Sequence, residues 1–445
     1  MDRHKALVFA YTKTALTPPK ELGSVVIRLK KYSNTLRDAL EDSRYTRGES
    51  SVHLPFDKTI ARAVEDMVAA TVSRGLKYVI VIGIGGSNLG ARAVYEALYG
   101  KNGARVPLGK PQLLFLDTAD PHLYEAVNRE LKAHVKHTGE VLINLISKSG
   151  NTTESVANFE VLYAELKRRL GTALRNRVVV TTDEGSALWN AAQAHRFKTL
   201  SMPRQVGGRF SMFSAVGLFP LAAVGIDIAT LLKGARDITP ACMSADVHKN
   251  FACASAGVLY VHRRKGLRTY NQFFFNPDLE TLGAWSSQLM AESIGKERND
   301  KGKIVHEGIL PLVSIGSTHL HSLSQLYFGG PRLMVTTFIY APNTAPSTRV
   351  PRTVILKHLK GIAGVPLSGI MGALYGGVKR SYQKHGLPFM ELVLPALDVY
   401  SMGQYMQMKL FEIMYLAHML GVNAFDQPNV EDYKQESRQL LQARR

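Results

Sequence analysis

Cysteine is nearly absent: among 445 residues only Cys242 and Cys253 occur, neither with another obvious metal ligand close by in sequence. That excludes a disulfide scaffold and a cysteine-built zinc site and fits a reducing compartment, so a cytoplasmic location is expected. The opening MDRHKALVFAYTKTAL carries charge and no sustained apolar run, so no secretory signal is expected. Long hydrophobic runs are missing as well. The apolar stretch from Phe210 to Ile226 is broken by Ser214, Gly217 and Pro220 and closed by Asp227. It suits a buried core helix better than a membrane span, and no membrane partner is expected.

Acid is in short supply: 36 Asp and Glu face 55 Lys and Arg, a net charge of +19. Such a balance favours nucleic acid or small anionic substrates as partners. The basic clusters at 262–268, 357–360 and 379–385 lack interleaved aromatics and fall in no helix-turn-helix, zinc-finger or RNP pattern. They read as solvated faces, and no nucleic-acid partner is expected. With 45% apolar and 20% charged residues the chain reads as globular, long enough for two packed α/β domains.

What is present is alternation of strand and helix. The apolar runs at 78–83, 113–117, 141–147 and 177–182 are each followed by a helical pattern. Strands apolar on both faces, each with a helix after it, predict a mainly parallel sheet covered on both sides. After one apolar helix near 212–232, further strands are expected at 268–275, 333–339 and 389–396. A thick buried helix at 401–420, with its Met stripe facing core, and a closing helix at 430–443 complete the pattern. The expected class is α/β, with two α/β sandwiches. Their clefts should open at the carboxyl ends of the strands.

Two loops carry chemistry. VIGIGGSNLG (81–90) joins a strand to a helix through glycines, the usual device for bringing backbone N–H groups close to a phosphate. A dinucleotide fingerprint would need a third glycine where Asn88 stands, and Asp117 comes late for a ribose acid; a Walker loop would need Gly-Lys-Ser/Thr. Ser87 at a helix start remains, and glycine turns of this kind also serve packing alone. SKSGNTTE (147–154) repeats the arrangement on another strand, with Ser147, Ser149 and Thr152 placed for phosphate oxygens and Thr152 or Thr153 placed to cap the helix. Two such loops on one sheet favour a single monophosphate, as on a sugar.

VIGIGGSNLGARAV, SKSGNTTE, GGRFSMFSAVGLFPLAAVGID and QLMAESIGKE together resemble the glucose-6-phosphate isomerase (phosphoglucose isomerase) family in its shorter bacterial form, over residues 50–440. The resemblance implies two sugar-isomerase (SIS) domains, at 50–205 and 206–425, with a C-terminal helical segment at 426–445 reaching the active site. It implies interconversion of glucose 6-phosphate and fructose 6-phosphate, a step of glycolysis and gluconeogenesis, with no metal and no other cofactor. It also implies a homodimer whose site lies at the subunit interface. Carried over by motif, the phosphate contacts fall on Ser87, Ser147, Ser149 and Thr152, with Gly86 and Lys148 in support. The base falls on Glu292, its neighbouring glutamine on Gln288, and the arginine beside the reacting carbons on Arg209. The ring-opening histidine falls on His321, with Gln325 four residues on, and the C-terminal pair on Gln427 and Lys434.

Those residue types suit the reaction. A proton must move between adjacent carbons through an enediolate, which one carboxylate can manage. A permanently charged guanidinium can stabilise the developing oxyanion without competing for that proton. Ring opening asks for acid–base help, which falls to His321 with Lys434. The relatives carry an aspartate two residues before the histidine; here that position is His319, which would share a face with His321 if the segment were extended. A non-catalytic sugar-phosphate regulator would use the same loops but leave Glu292, His321 and Lys434 without work. A dehydrogenase is disfavoured by Asn88.

Overall fold

β-branched and aromatic residues crowd the strand runs, and at Tyr78–Ile82 every residue is buried. The strands are β1 (Val8–Ala10), β2 (Tyr78–Ile82), β3 (Gln112–Leu116), β4 (Val141–Ile146), β5 (Val178–Thr182) and β6 (Lys198–Ser201). They continue with β7 (Thr269–Phe274), β8 (Lys296–Arg298), β9 (Ile304–Glu307), β10 (Leu310–Ile315), β11 (Met334–Tyr340) and β12 (Phe389–Val393). The computed structural model describes residues 6–342, 348–356, 358 and 361–443. Of the basic cluster at 357–360, all but His358 lies outside the described residues.

Five strands form a wholly parallel first sheet in the order β3-β2-β4-β5-β6. The second sheet runs β1-β12-β11-β7-β10, parallel except for β1, which pairs antiparallel with β12. β8 and β9 make a separate antiparallel hairpin. The α/β class with mainly parallel sheets is therefore as expected, and all seven strand runs read from the sequence are strands. β1, β6, β10 and the hairpin had no such reading. β10 (LPLVSI) contains Pro311 and leaves Leu310 exposed. A proline is tolerated at a sheet edge because the missing N–H would face no neighbour there.

The single helix expected near 212–232 is in fact two, Ala215–Ala223 and Ile228–Cys242. Gly225 between them has φ +79°, a left-handed conformation that ends a helix, and the Asp227 carboxylate accepts the Thr230 N–H to start the next. The expected buried helix is there at Val399–Leu420, buried continuously from Tyr400 to Ala417. No helix among the described residues is long and apolar enough to cross a membrane.

The Glu280–Ile294 helix packs along the second sheet. It starts beside the carboxyl ends of its strands, where a Cβ placed on Gly283 would lie 2.6 Å from Val313 Cγ1 and 2.9 Å from Phe274 Cε2. It ends at the amino end of β10, where Gly308 and Gly295 pack together. The helix thus runs antiparallel to β7 and β10. Its carboxyl end faces away from the segment that follows β10.

Candidate active site

Arg209 is the hub. It sits in a short turn, Gly208–Phe210, and is only 3% exposed. A guanidinium has five N–H donors, and here each has an acceptor. Nε donates to Ser293 Oγ at 2.9 Å, and Nη1 to Gln427 Oε1 at 2.9 Å and to Glu292 Oε2 at 3.2 Å. Nη2 donates to the carbonyls of Ala424 and Asp426. Burial pulls the guanidinium pKa down and the Glu292 carboxylate opposes that fall, so Arg209 stays a cation.

Glu292 is held from both sides. Its Oε1 accepts from Gln288 Nε2 at 2.8 Å, one helical turn earlier, while Arg209 holds Oε2. The Glu292 side chain is 32% exposed, so part of it stays within reach of an incoming molecule. Gln288 Oε1 is buried without a partner among the described residues.

The two glycine-containing loops of the first sheet reach this cluster. A Cβ at Gly86 would fall 2.3 Å from the Gly208 carbonyl carbon, so the first turn packs backbone to backbone on the Arg209 turn. A Cβ on Gly85 would meet Gln288 Nε2 at 2.8 Å. Ser87 lies beside the end of β4: a Cβ on Gly83 would be 2.9 Å from Ser87 Cβ and 3.0 Å from the Ile146 carbonyl. The second loop follows immediately. Ser147 Oγ and Thr152 Oγ1 are 3.0 Å apart, and Ser149 is exposed, its hydroxyl accepting from the Asn151 N–H at 3.4 Å.

Neither Thr152 nor Thr153 caps the Thr153–Leu170 helix, contrary to expectation. Thr152 occupies the cap position, but its hydroxyl turns to Ser147 and, among the described residues, accepts from no N–H group of the first turn. Among the described residues the N–H groups of Lys148, Ser149 and Thr152 likewise have no protein acceptor. Free N–H groups and two convergent hydroxyls suit an anion. The Lys148 side chain donates to the Val206 carbonyl at 2.9 Å, and burial lowers its pKa. Asp117 is taken by Asn88 Nδ2 at 3.1 Å and Arg92 Nη1 at 3.2 Å, which leaves a ribose-binding role without its acid.

His321 and Lys434 are not part of this cluster within one chain. Residues Thr318–Ser322 form a short helix, not an extended segment, so the two histidines do not share a face. His319 Nδ1 accepts the Ile315 N–H at 3.0 Å, while His321 is exposed, and no hydrogen bond or ion pair engages it among the described residues. It follows the carboxyl end of β10, whereas Glu292 stands near the amino end of that strand. The nine residue steps from Gly283 to Glu292 alone cover about 13.5 Å of helix axis. Lys434 Nζ pairs with Glu431 at 2.7 Å on the Glu431–Gln442 helix, which buries no residue.

The sequence reading missed Ser293, the carbonyls of Ala424 and Asp426, and Lys296. Lys296 is 5% exposed and donates to the Glu292 carbonyl at 2.8 Å and the Asp426 carbonyl at 2.5 Å. Its place four residues after Glu292 was a visible signal.

Parallel sheets that present free N–H groups and hydroxyls opposite a carboxylate–guanidinium pair define an α/β protein built to hold a small anion beside an acid–base centre. The family model for phosphoglucose isomerase matches residues 58–358. A glucose-6-phosphate isomerase of Symbiobacterium thermophilum is 33% identical over 87% of this chain and 84% of its own. One of Leptospira biflexa is 34% identical over 88% of this chain and 85% of its own. The chain belongs to the phosphoglucose isomerase family. Among solved structures, a hypothetical protein of Thermus thermophilus superposes with a TM-score of 0.82 at 29% identity, covering 95% of this chain and 98% of that one. A glucose-6-phosphate isomerase of Chlamydia trachomatis shares the fold, with a TM-score of 0.83 at 20% identity over 98% of this chain and 89% of that one.

Proposed function

We propose that this chain interconverts glucose 6-phosphate and fructose 6-phosphate, and that Glu292 carries the proton between the two carbons. The observation that carries the reading is Glu292 fixed between Gln288 and Arg209, with the glycine turn of the first sheet packed against both Gln288 and the Arg209 turn.

The phosphate sits on the free N–H groups around Lys148 and Ser149 with the hydroxyls of Ser87, Ser147, Ser149 and Thr152, beside the Gly86 turn. That anchors one end of the sugar and brings C1 and C2 to Glu292. Glu292 takes the C2 proton of the open-chain aldose, giving an enediolate, and returns it to C1 as the proton on the C2 oxygen is released and O1 is protonated. Arg209 exchanges its Gln427 contact for the developing oxyanion, a fixed cation in a buried site where it costs little reorganisation.

Ring opening falls to His321 and Lys434, and it needs a second copy of the chain. Glu292 and His321 stand at opposite ends of the second sheet's β7–helix–β10 unit, so the histidine that completes a site is His321 of the partner subunit. The exposed Tyr433, Leu440 and Leu441 of the last helix, at 61%, 67% and 50%, support an assembly larger than one chain.

A coupled assay that follows fructose 6-phosphate into glucose 6-phosphate tests the reading. Turnover in the presence of EDTA is the expected result. No conversion, or conversion that vanishes with EDTA and returns with a divalent ion, overturns the metal-free isomerase.

A further inference from the structure

Lys296 stands within QLMAESIGKE, where the sequence reading gave it no role, yet it is tied to the catalytic cluster more closely than His321 or Lys434. It opens β8 directly after the Glu280–Ile294 helix. Its ammonium makes three contacts: the Glu292 carbonyl at 2.8 Å, the Asp426 carbonyl at 2.5 Å and Asp426 Oδ1 at 3.0 Å. An ammonium has three donors, so these use it fully. The Asp426 carbonyl is shared, since Arg209 Nη2 donates to it at 3.0 Å. Two buried cations therefore grip one carbonyl oxygen in the loop that carries Gln427.

We propose that Lys296 is a positioning residue for proton transfer: it locks the backbone of Glu292 to the Gln427 loop, and through that loop it fixes Arg209. The last carbonyls of a helix have no partner within the helix, and Lys296 supplies one at the catalytic residue itself. A cation at this end also suits the helix dipole. On its other side Lys296 lines a surface cavity of about 790 Å³, shared with Asp426, Glu297, Arg298 and His418. Removing the long side chain would let water reach the carbonyls that hold Arg209. Burial lowers the Lys296 pKa and Asp426 opposes the shift, in keeping with a paired cation that does not take part as a base. Among the described residues no hydrogen bond or ion pair joins Lys296 to the phosphate loops, so its effect belongs to turnover.

The inference rests on Glu292 as the base. Its test is Lys296→Met, assayed with glucose 6-phosphate carrying protium or deuterium at C2. kcat is expected to fall by about 10- to 100-fold, the range for a small misplacement of reacting groups, with KM little changed. The deuterium isotope effect on kcat is expected to exceed that of the unsubstituted enzyme. A protein that merely contains fewer folded molecules would lose kcat with the isotope effect unaltered, and that result overturns the proposal, as does unaltered kcat. If Lys296→Met does not fold, Lys296→Gln, which keeps one amide donor, carries the same comparison. Glu292→Gln run in parallel separates the two readings: if it retains turnover, the base is elsewhere and the function reading fails first. If it is inactive and Lys296→Met behaves as the unsubstituted enzyme, only Lys296 loses its role.

Discussion

If, as proposed, Glu292 acts on carbon and the serine–threonine loop on phosphate, substitutions at the two places should separate turnover from binding. Glu292→Gln keeps the contact to Gln288 within reach and removes the base. It should lower kcat by about 10²- to 10⁴-fold while sugar-phosphate affinity, read by calorimetry, stays nearly intact. Ser147→Ala combined with Thr152→Ala should do the reverse and weaken binding by about 1–3 kcal/mol through lost charge-assisted hydrogen bonds. A binding loss in the first variant, or none in the second, would reverse these roles. The two histidines part in the same way. His319 Nδ1 is engaged by the Ile315 N–H, and an asparagine oxygen can accept in its place, so His319→Asn should cost little. His321→Asn should lose about 10²-fold or more of kcat on the cyclic substrate; a larger loss at His319 would transfer the ring-opening role to it.

At the level of elements, the site depends on two turns packed without side chains between them. Gly86→Ala puts a methyl group 2.3 Å from the Gly208 carbonyl carbon, and the Arg209 turn must then move. A stability loss of about 1–3 kcal/mol and a fall in kcat of about 10²-fold are expected, read as Tm and steady-state rate. Wild-type values for both would mean that the contact is dispensable. A second element contact answers to pH. His262, on the Phe251–Arg264 helix, has its Nε2 2.6 Å from the Ala15 carbonyl and holds the chain between β1 and the first long helix. Burial keeps its pKa below the ordinary imidazole value of 6.5. The unfolded chain therefore binds a proton below about pH 6.5 that the folded chain does not, and stability falls as pH drops through that value. Urea unfolding at about pH 8 and pH 5.5 should show this difference, and His262→Gln, which keeps a donor but cannot titrate, should reduce it.

For the whole molecule the question is whether one chain makes a complete site. If Glu292 and His321 of the partner subunit share a site, Glu292→Gln and His321→Asn homodimers are both nearly inactive, yet a mixed dimer holds one site with both native residues. Random re-association makes half the dimers mixed with half their sites restored, so about one quarter of wild-type activity should return. Mixing that restores nothing would place the whole site within one chain. The charge of +19 has no structural explanation in this arrangement.

The parallel strands were legible because burial on both faces leaves an unbroken apolar run, as in YVIVI and VLINLI. The two strand-to-helix loops were legible because their glycine and hydroxyl residues directly follow such strands. β10 and β6 were not, because an edge strand takes its identity from the neighbour it pairs with and can carry a proline or a polar face. The split of the 212–232 segment turned on the left-handed conformation of Gly225, which composition alone does not announce. Motif likeness alone put Arg209, Glu292, Gln288 and Gln427 in one site, but their mutual distances depend on how helix ends and loops meet. The same holds for Lys296, whose contacts lie with a helix-end carbonyl and a loop 130 residues away. Sequence determined which residues could do the chemistry. Only the tertiary structure decided which of them one chain brings together, because an antiparallel helix carries Glu292 to one end of its sheet and leaves His321 at the other.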